Sequence, residues 1–135
     1  MIRLFTLGML LFLCSCGAGD QQLLHKKWRV YDVVVPPGSG YDITQINQAA
    51  ELKKGYYTNV FYQFLDNNLF IATIDNKPDS GKYKMLSGGK VISITANNGD
   101  RTYENLVSVV TLDNTHFDMK VKSGDYYFIL KTKAE

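Results

Sequence analysis

The chain has 135 residues, with 15 Lys+Arg against 13 Asp+Glu and a formal charge of +2 at pH 7. That balance gives no electrostatic reason to propose nucleic acid as a partner, and the length suits one domain. The 2 cysteines, Cys14 and Cys16, both lie near the start, so the stability of the rest must come from an apolar core.

The opening residues read as a targeting signal. Arg3 is the only charge before Asp20, and Leu4 to Leu13 is apolar apart from Thr6 and Gly8. A basic start, a short apolar run and small residues after it describe a secretory signal peptide. The run falls short of the roughly 18 apolar residues of a membrane span. Leu13-Cys14-Ser15-Cys16 resembles the bacterial lipobox, and the resemblance implies cleavage after Ser15 with a lipid carried on Cys16. The alternative is a plain signal peptide with an incidental cysteine pair. On the lipobox reading, residues 1–15 are the signal, 16–22 a lipidated tether and 23–135 a single domain. The resemblance also implies a membrane partner reached through the N-terminal lipid. Gly17 after the cysteine implies the outer membrane, facing the periplasm, and the lone Asp20 is too little acid to imply surface display.

Trp28 to Val35 is the first predicted strand. Pro36-Pro37-Gly38-Ser39-Gly40 then breaks the pattern. Asp42 followed by Gln45 resembles a capping box, and Ile43 to Lys54 is rich in helix formers. Ile43, Ile46, Ala50 and Ala49 fall on one side, which predicts a short amphipathic helix lying across one end of a barrel, as a plug or as a mobile lid.

From Asn59 onward short β-type runs alternate with turns. The predicted strands are Asn59–Leu65, Leu69–Ile74, Gly81–Leu86, Lys90–Ala96, Thr102–Leu112, His116–Lys122 and Asp125–Thr132. A loop over Asp75–Ser80, containing Pro78, separates the second and third of these. Asn, Asp and Gly at the breaks supply the positive φ that tight hairpins need. Short turns make consecutive strands antiparallel neighbours. Phe117, Met119 and Val121 alternate with His116, Asp118, Lys120 and Lys122, and Tyr83 and Met85 alternate with Lys82 and Lys84. One wet face suits a sheet curled around its own interior, and closure removes the edges of a long meander. The fold expected is all-β: an eight-stranded antiparallel up-and-down meander barrel with a short helix in the first inter-strand loop. A β-sandwich is the alternative.

Leu24-His25-Lys26-Lys27-Trp28-Arg29-Val30, Phe61-Tyr62-Gln63-Phe64, Gly81-Lys82-Tyr83-Lys84-Met85 and Val109-Val110-Thr111-Leu112-Asp113 follow the rhythm of the lipocalins. The chain is similar to the lipocalin-like lipoproteins of Bacteroidota over roughly residues 23–132. Lys26 stands where the family has a Gly two before the Trp. The resemblance implies a cation from the last strand stacked on Trp28, with Lys131 the nearest candidate. Packing at the closed end of the barrel is the other role open to Trp28.

Catalysis finds little support in the residues. Past Cys16 there are only two histidines: His25, beside Lys26 and Lys27, and His116, beside Asp118 on an outer face. Two isolated histidines do not make a zinc site. Asp75, Asp79, Asp100 and Asp113 read as turn residues without the regular spacing of a calcium loop. No enzyme activity, metal or cofactor is expected. Tyr62, Phe64, Tyr83, Phe117, Tyr126 and Phe128 are predicted to point inward. An eight-stranded barrel is just wide enough to be filled by side chains or to hold one small ligand. A hollow barrel would bind a small apolar or amphipathic molecule. A filled one would act as an interaction module for an envelope protein, with Tyr56, Tyr57 and Tyr103 outside as anchors.

Overall fold

A computed structural model describes residues 22–98 and 100–135. The expected signal peptide and Cys16 lie outside the described residues. Eight strands close into a barrel in chain order: β1 (Lys27–Val34), β2 (Val60–Phe64), β3 (Leu69–Ile74), β4 (Lys77–Leu86), β5 (Val91–Asn98), β6 (Arg101–Leu112), β7 (His116–Ser123) and β8 (Tyr126–Ala134). Each pairs antiparallel with the next, and β8 returns to β1 through Trp28↔Ala134 to Val34↔Ile129. The closed ring excludes the sandwich. One helix, α1 (Ile43–Lys54), lies between β1 and β2.

The turns follow local chemistry. Asn67 and Asn68 adopt φ of 60° after β2, and Ser87, Gly88 and Gly89 adopt 52°, 66° and 90° after β4. Asp75 and Asn76, at 50° and 65°, form a two-residue turn between the pair Ile74↔Lys77, the geometry that suits the right-handed twist of its strands. The loop expected over Asp75–Ser80 is therefore only two residues long. Lys77, Pro78, Asp79 and Ser80 belong to β4 and pair with Ile74, Thr73, Ala72 and Ile71. All four are exposed, so Asp79 is a strand residue whose side chain meets water, and the segment carries no apolar pattern. Farther along β4, a Cβ on Gly81 would lie 2.5 Å from the Thr95 carbonyl oxygen.

Asp42 caps the helix as its sequence implies, but the capping box does not close, because the Gln45 side chain bonds β8 instead. Asp42 has extended backbone, and its Oδ1 accepts the N–H groups of Thr44 (2.9 Å) and Gln45 (3.3 Å), satisfying two donors that a helix start leaves open. The packed face differs from the expected one. Ile43 and Ile46 are 54% and 38% exposed, and Ala50 is exposed too, whereas Gln45, Ala49 and Leu52 turn toward the barrel. The reason is polar. Gln45 Nε2 donates to the Tyr127 carbonyl at 3.1 Å and Gln48 Nε2 to the Ser123 carbonyl at 3.2 Å. These main-chain acceptors at the β7–β8 hairpin take the glutamine side of the helix.

At the opposite end the barrel is sealed. Leu23 lies beneath it with no exposed surface, Leu24 makes a bridge to Phe64, and Trp28 Nε1 donates to the Leu23 carbonyl at 3.1 Å. The Trp28 ring meets Phe117 edge-on at 5.7 Å, and Phe64 meets Phe117, Tyr83 and Phe70 at 5.9, 5.0 and 5.3 Å. Offset and edge contacts of this kind each add about 0.5–1.5 kcal/mol beyond area burial. The cation over Trp28 is Lys26, at 5.4 Å, not Lys131. Leu130 and Thr132 point inward, so the pleat sends Lys131 outward, opposite Asp32 and Asp118. Residues 22–135 thus hold all the described strands, α1 and a contiguous core, which is what a segment needs to fold alone.

Candidate functional site

The barrel is hollow in its upper half. A cavity of about 470 Å³ lies above the aromatic floor, within the roughly 300–1,000 Å³ typical of ligand pockets. Phe64, Phe70, Phe117 and Ile92 line its lower part, with Met119 and Leu130 on one wall. Side chains on alternate positions of a strand share a face, so these residues meet inside because the register pairs Phe64↔Phe70 and Met119↔Leu130.

Two phenols supply polarity within this apolar space. Tyr62 stacks on Phe70 with ring centroids 5.8 Å apart, and Tyr57 packs edge-on against Tyr56 at 4.7 Å. Burial, with the neighbouring Tyr56 phenol, pushes the Tyr57 hydroxyl up to about 12. Burial followed by the Tyr57 and Tyr56 phenols pushes Tyr62 higher still. Neither hydroxyl has a hydrogen-bond partner among the described residues, and both residues line the cavity. Both remain neutral donors at physiological pH, free to bond a guest.

The cavity emerges through the wall. Inward-facing Asn105, Val107 and Val121 line it, and so do outward-facing Glu104, Leu106, Lys122 and Tyr127. A space confined to the interior would touch only the first set. The ladder between β6 and β7 explains the opening: it runs from Leu112↔Phe117 to Ser108↔Lys120, with a bulge between Val109 and Thr111. Beyond Ser108, β6 continues to Arg101 paired with β5, while β7 continues to Ser123 paired with β8. The two strands diverge and leave a slot. Leu106 and Tyr127 at its rim are 61% and 49% exposed.

The helix covers the end beside the slot without filling the cavity. Its N-cap Asp42 accepts a bond from the Tyr126 hydroxyl at 2.9 Å, and Lys53 pairs with Asp32 of β1 at 3.2 Å. With the two glutamine bonds, four polar ties fasten it to β1, β7 and β8, the arrangement of a plug.

The six aromatics predicted to point inward divide in role. Tyr62, Phe64 and Phe117 line the cavity. Phe128 is wholly buried in the core, Tyr83 packs there and donates to the Leu65 carbonyl at 3.4 Å, and Tyr126 holds the helix. Tyr57, expected outside, is half-buried and lines the cavity. Tyr56 and Tyr103 are exposed, at 55% and 46%. Of the two histidines, His25 faces Asp66 at 3.3 Å and His116 Nδ1 bonds the Thr115 hydroxyl at 2.8 Å, both at the surface. Among the described residues no group of three or more His, Cys, Asp or Glu could hold a metal ion. Asn105, Lys122 and Tyr127 were missed as site residues. The signal available was length, since the run ending at Leu112 outlasts the one beginning at His116. No protein-family model matches the chain, and no curated protein matches it.

Proposed function

We propose that this protein is a lipid-anchored, lipocalin-like carrier of the bacterial cell envelope that binds a small apolar or amphipathic molecule inside its barrel, without catalysing a reaction. The cavity carries the reading: about 470 Å³ of mainly apolar space lined by two tyrosines whose hydroxyls have no hydrogen-bond partner among the described residues. An apolar pocket with a few convergent polar groups is the usual form of a small-molecule site. A barrel filled by its own aromatics would favour an interaction module instead, and the hollow upper half counts against that alternative. Placement at the outer membrane, facing the periplasm, rests on Leu13-Cys14-Ser15-Cys16 and Gly17. The test is native mass spectrometry on residues 22–135 purified without detergent, compared with the same sample denatured. The carrier reading expects an extra mass that disappears on denaturation, or uptake from a membrane-lipid extract. A bare protein mass with no uptake refutes it.

A further inference from the structure

The slot between β6 and β7 specifies the kind of molecule that fits. Lys120 and Lys122 project from the outer face of β7 beside it, with their ammonium groups 5.0 and 6.0 Å from the centre of the Tyr127 ring. An ammonium over a ring face is held there by the ring quadrupole, so Tyr127 gathers two positive charges at the rim. Neither lysine has a carboxylate within 4.0 Å among the described residues. The nearby acid, Glu104, accepts a bond from the Ser93 hydroxyl at 3.2 Å across the β5–β6 ladder. Inside the slot the surface turns apolar, through Val107 and Val121 to Phe117. Cations outside and aromatics within make a site of two natures, joined by a gap in the wall.

We propose that the cavity takes a single apolar chain bearing an anionic head, with the chain inside the barrel and the head at Lys122 and Lys120 in the slot. This rests on the carrier reading and adds the ligand's charge and the place where it leaves the barrel. A carboxylate and a phosphate monoester share the required chemistry. A bond to a charged group that is lost outright changes affinity by about tenfold or more, and rim charges weaken as salt is added.

The experiment is displacement of the uncharged dye N-phenylnaphthylamine from residues 22–135 by dodecanoate, dodecyl phosphate and dodecanol. The proposal expects at least one anion to compete about tenfold better than the alcohol, with the margin shrinking in high salt. The tighter anion identifies the head group. In the double variant Lys120→Gln/Lys122→Gln the ratio of anion to alcohol falls to near one. In Lys54→Gln, which alters a cation at the end of the plugging helix, the ratio stays as in the parent. If none of the three compounds binds, the carrier reading itself fails. If the alcohol binds as well as the anions, or the ratio survives the double variant, or Lys54→Gln removes it, the anionic slot is overturned and the carrier reading stands.

Discussion

Trp28→Phe tests how the closed end is sealed. The substitution keeps an aromatic ring against Phe117 but deletes the Nε1–H that donates to the Leu23 carbonyl at 3.1 Å. Leu23 and Trp28 are both 0% exposed, so water cannot replace the lost donor. A buried group left without its partner costs about 1–3 kcal/mol, and the smaller ring forfeits some packing as well. The expected loss is about 2 kcal/mol, a large share of the roughly 5–15 kcal/mol that a domain of this kind has in total. Trp28→Ala should cost more, about 3–5 kcal/mol. Lys26→Ala removes the cation over the ring together with its exposed bond to the Asn114 carbonyl at 3.0 Å and should cost about 0.5–2 kcal/mol. The assay is urea unfolding followed by far-ultraviolet circular dichroism, because the chain has 1 Trp and its fluorescence vanishes with the substitution. The midpoint should fall while the slope stays constant. A Trp28→Phe protein within about 0.5 kcal/mol of the parent, inside the spread of neutral surface changes, would refute the hydrogen bond as the seal.

Gly81→Ala should destabilise by about 1–3 kcal/mol through overpacking, since its Cβ would sit 2.5 Å from the Thr95 carbonyl oxygen; an unchanged urea midpoint would show that β4 and β5 separate there at no cost. Tyr57 and Tyr62 are neutral in the fold and have raised hydroxyl pKa values, so their contribution is complete below the unfolded value of 10.0 and is lost as pH rises past it. Between pH 10 and about 12 the parent should lose stability more steeply than the Tyr57→Phe/Tyr62→Phe double variant, as read from urea midpoints across that window. Parallel curves would mean that the two phenols are not desolvated.

The parts of this fold that could be read from sequence are those where backbone demand and side-chain chemistry coincide. Asp66-Asn67-Asn68 and Ser87-Gly88-Gly89 place residues tolerant of positive φ between β-type runs, and the strands on either side follow from such breaks. The first half of β4 escaped because pairing there involves only the backbone: Pro78 and Asp79 face water, and nothing apolar marks them. The helix was legible from its cap, yet its buried side was not, since two glutamines found carbonyls on another strand pair. Hydrophobic spacing cannot anticipate such acceptors. The inward aromatics were visible in the alternation, but whether they leave a void depends on how rings from distant strands fit together. Phe64, Phe70, Phe117 and Tyr83 crowd the lower half, and the space above them is what remains.

The described chain enters and leaves the barrel at the same place. Leu24 bridges Phe64, and the Glu135 N–H donates to the Lys27 carbonyl at 2.9 Å. Anything joined at either terminus therefore hangs from the sealed end, whether a tether to a surface or a fused reporter, and the opposite half swings free with its slot unobstructed. A short linker between the two ends, with a new break at the exposed Asp75-Asn76 turn, would give a circular permutant whose termini stand at the other rim. The same barrel could then be mounted upside down.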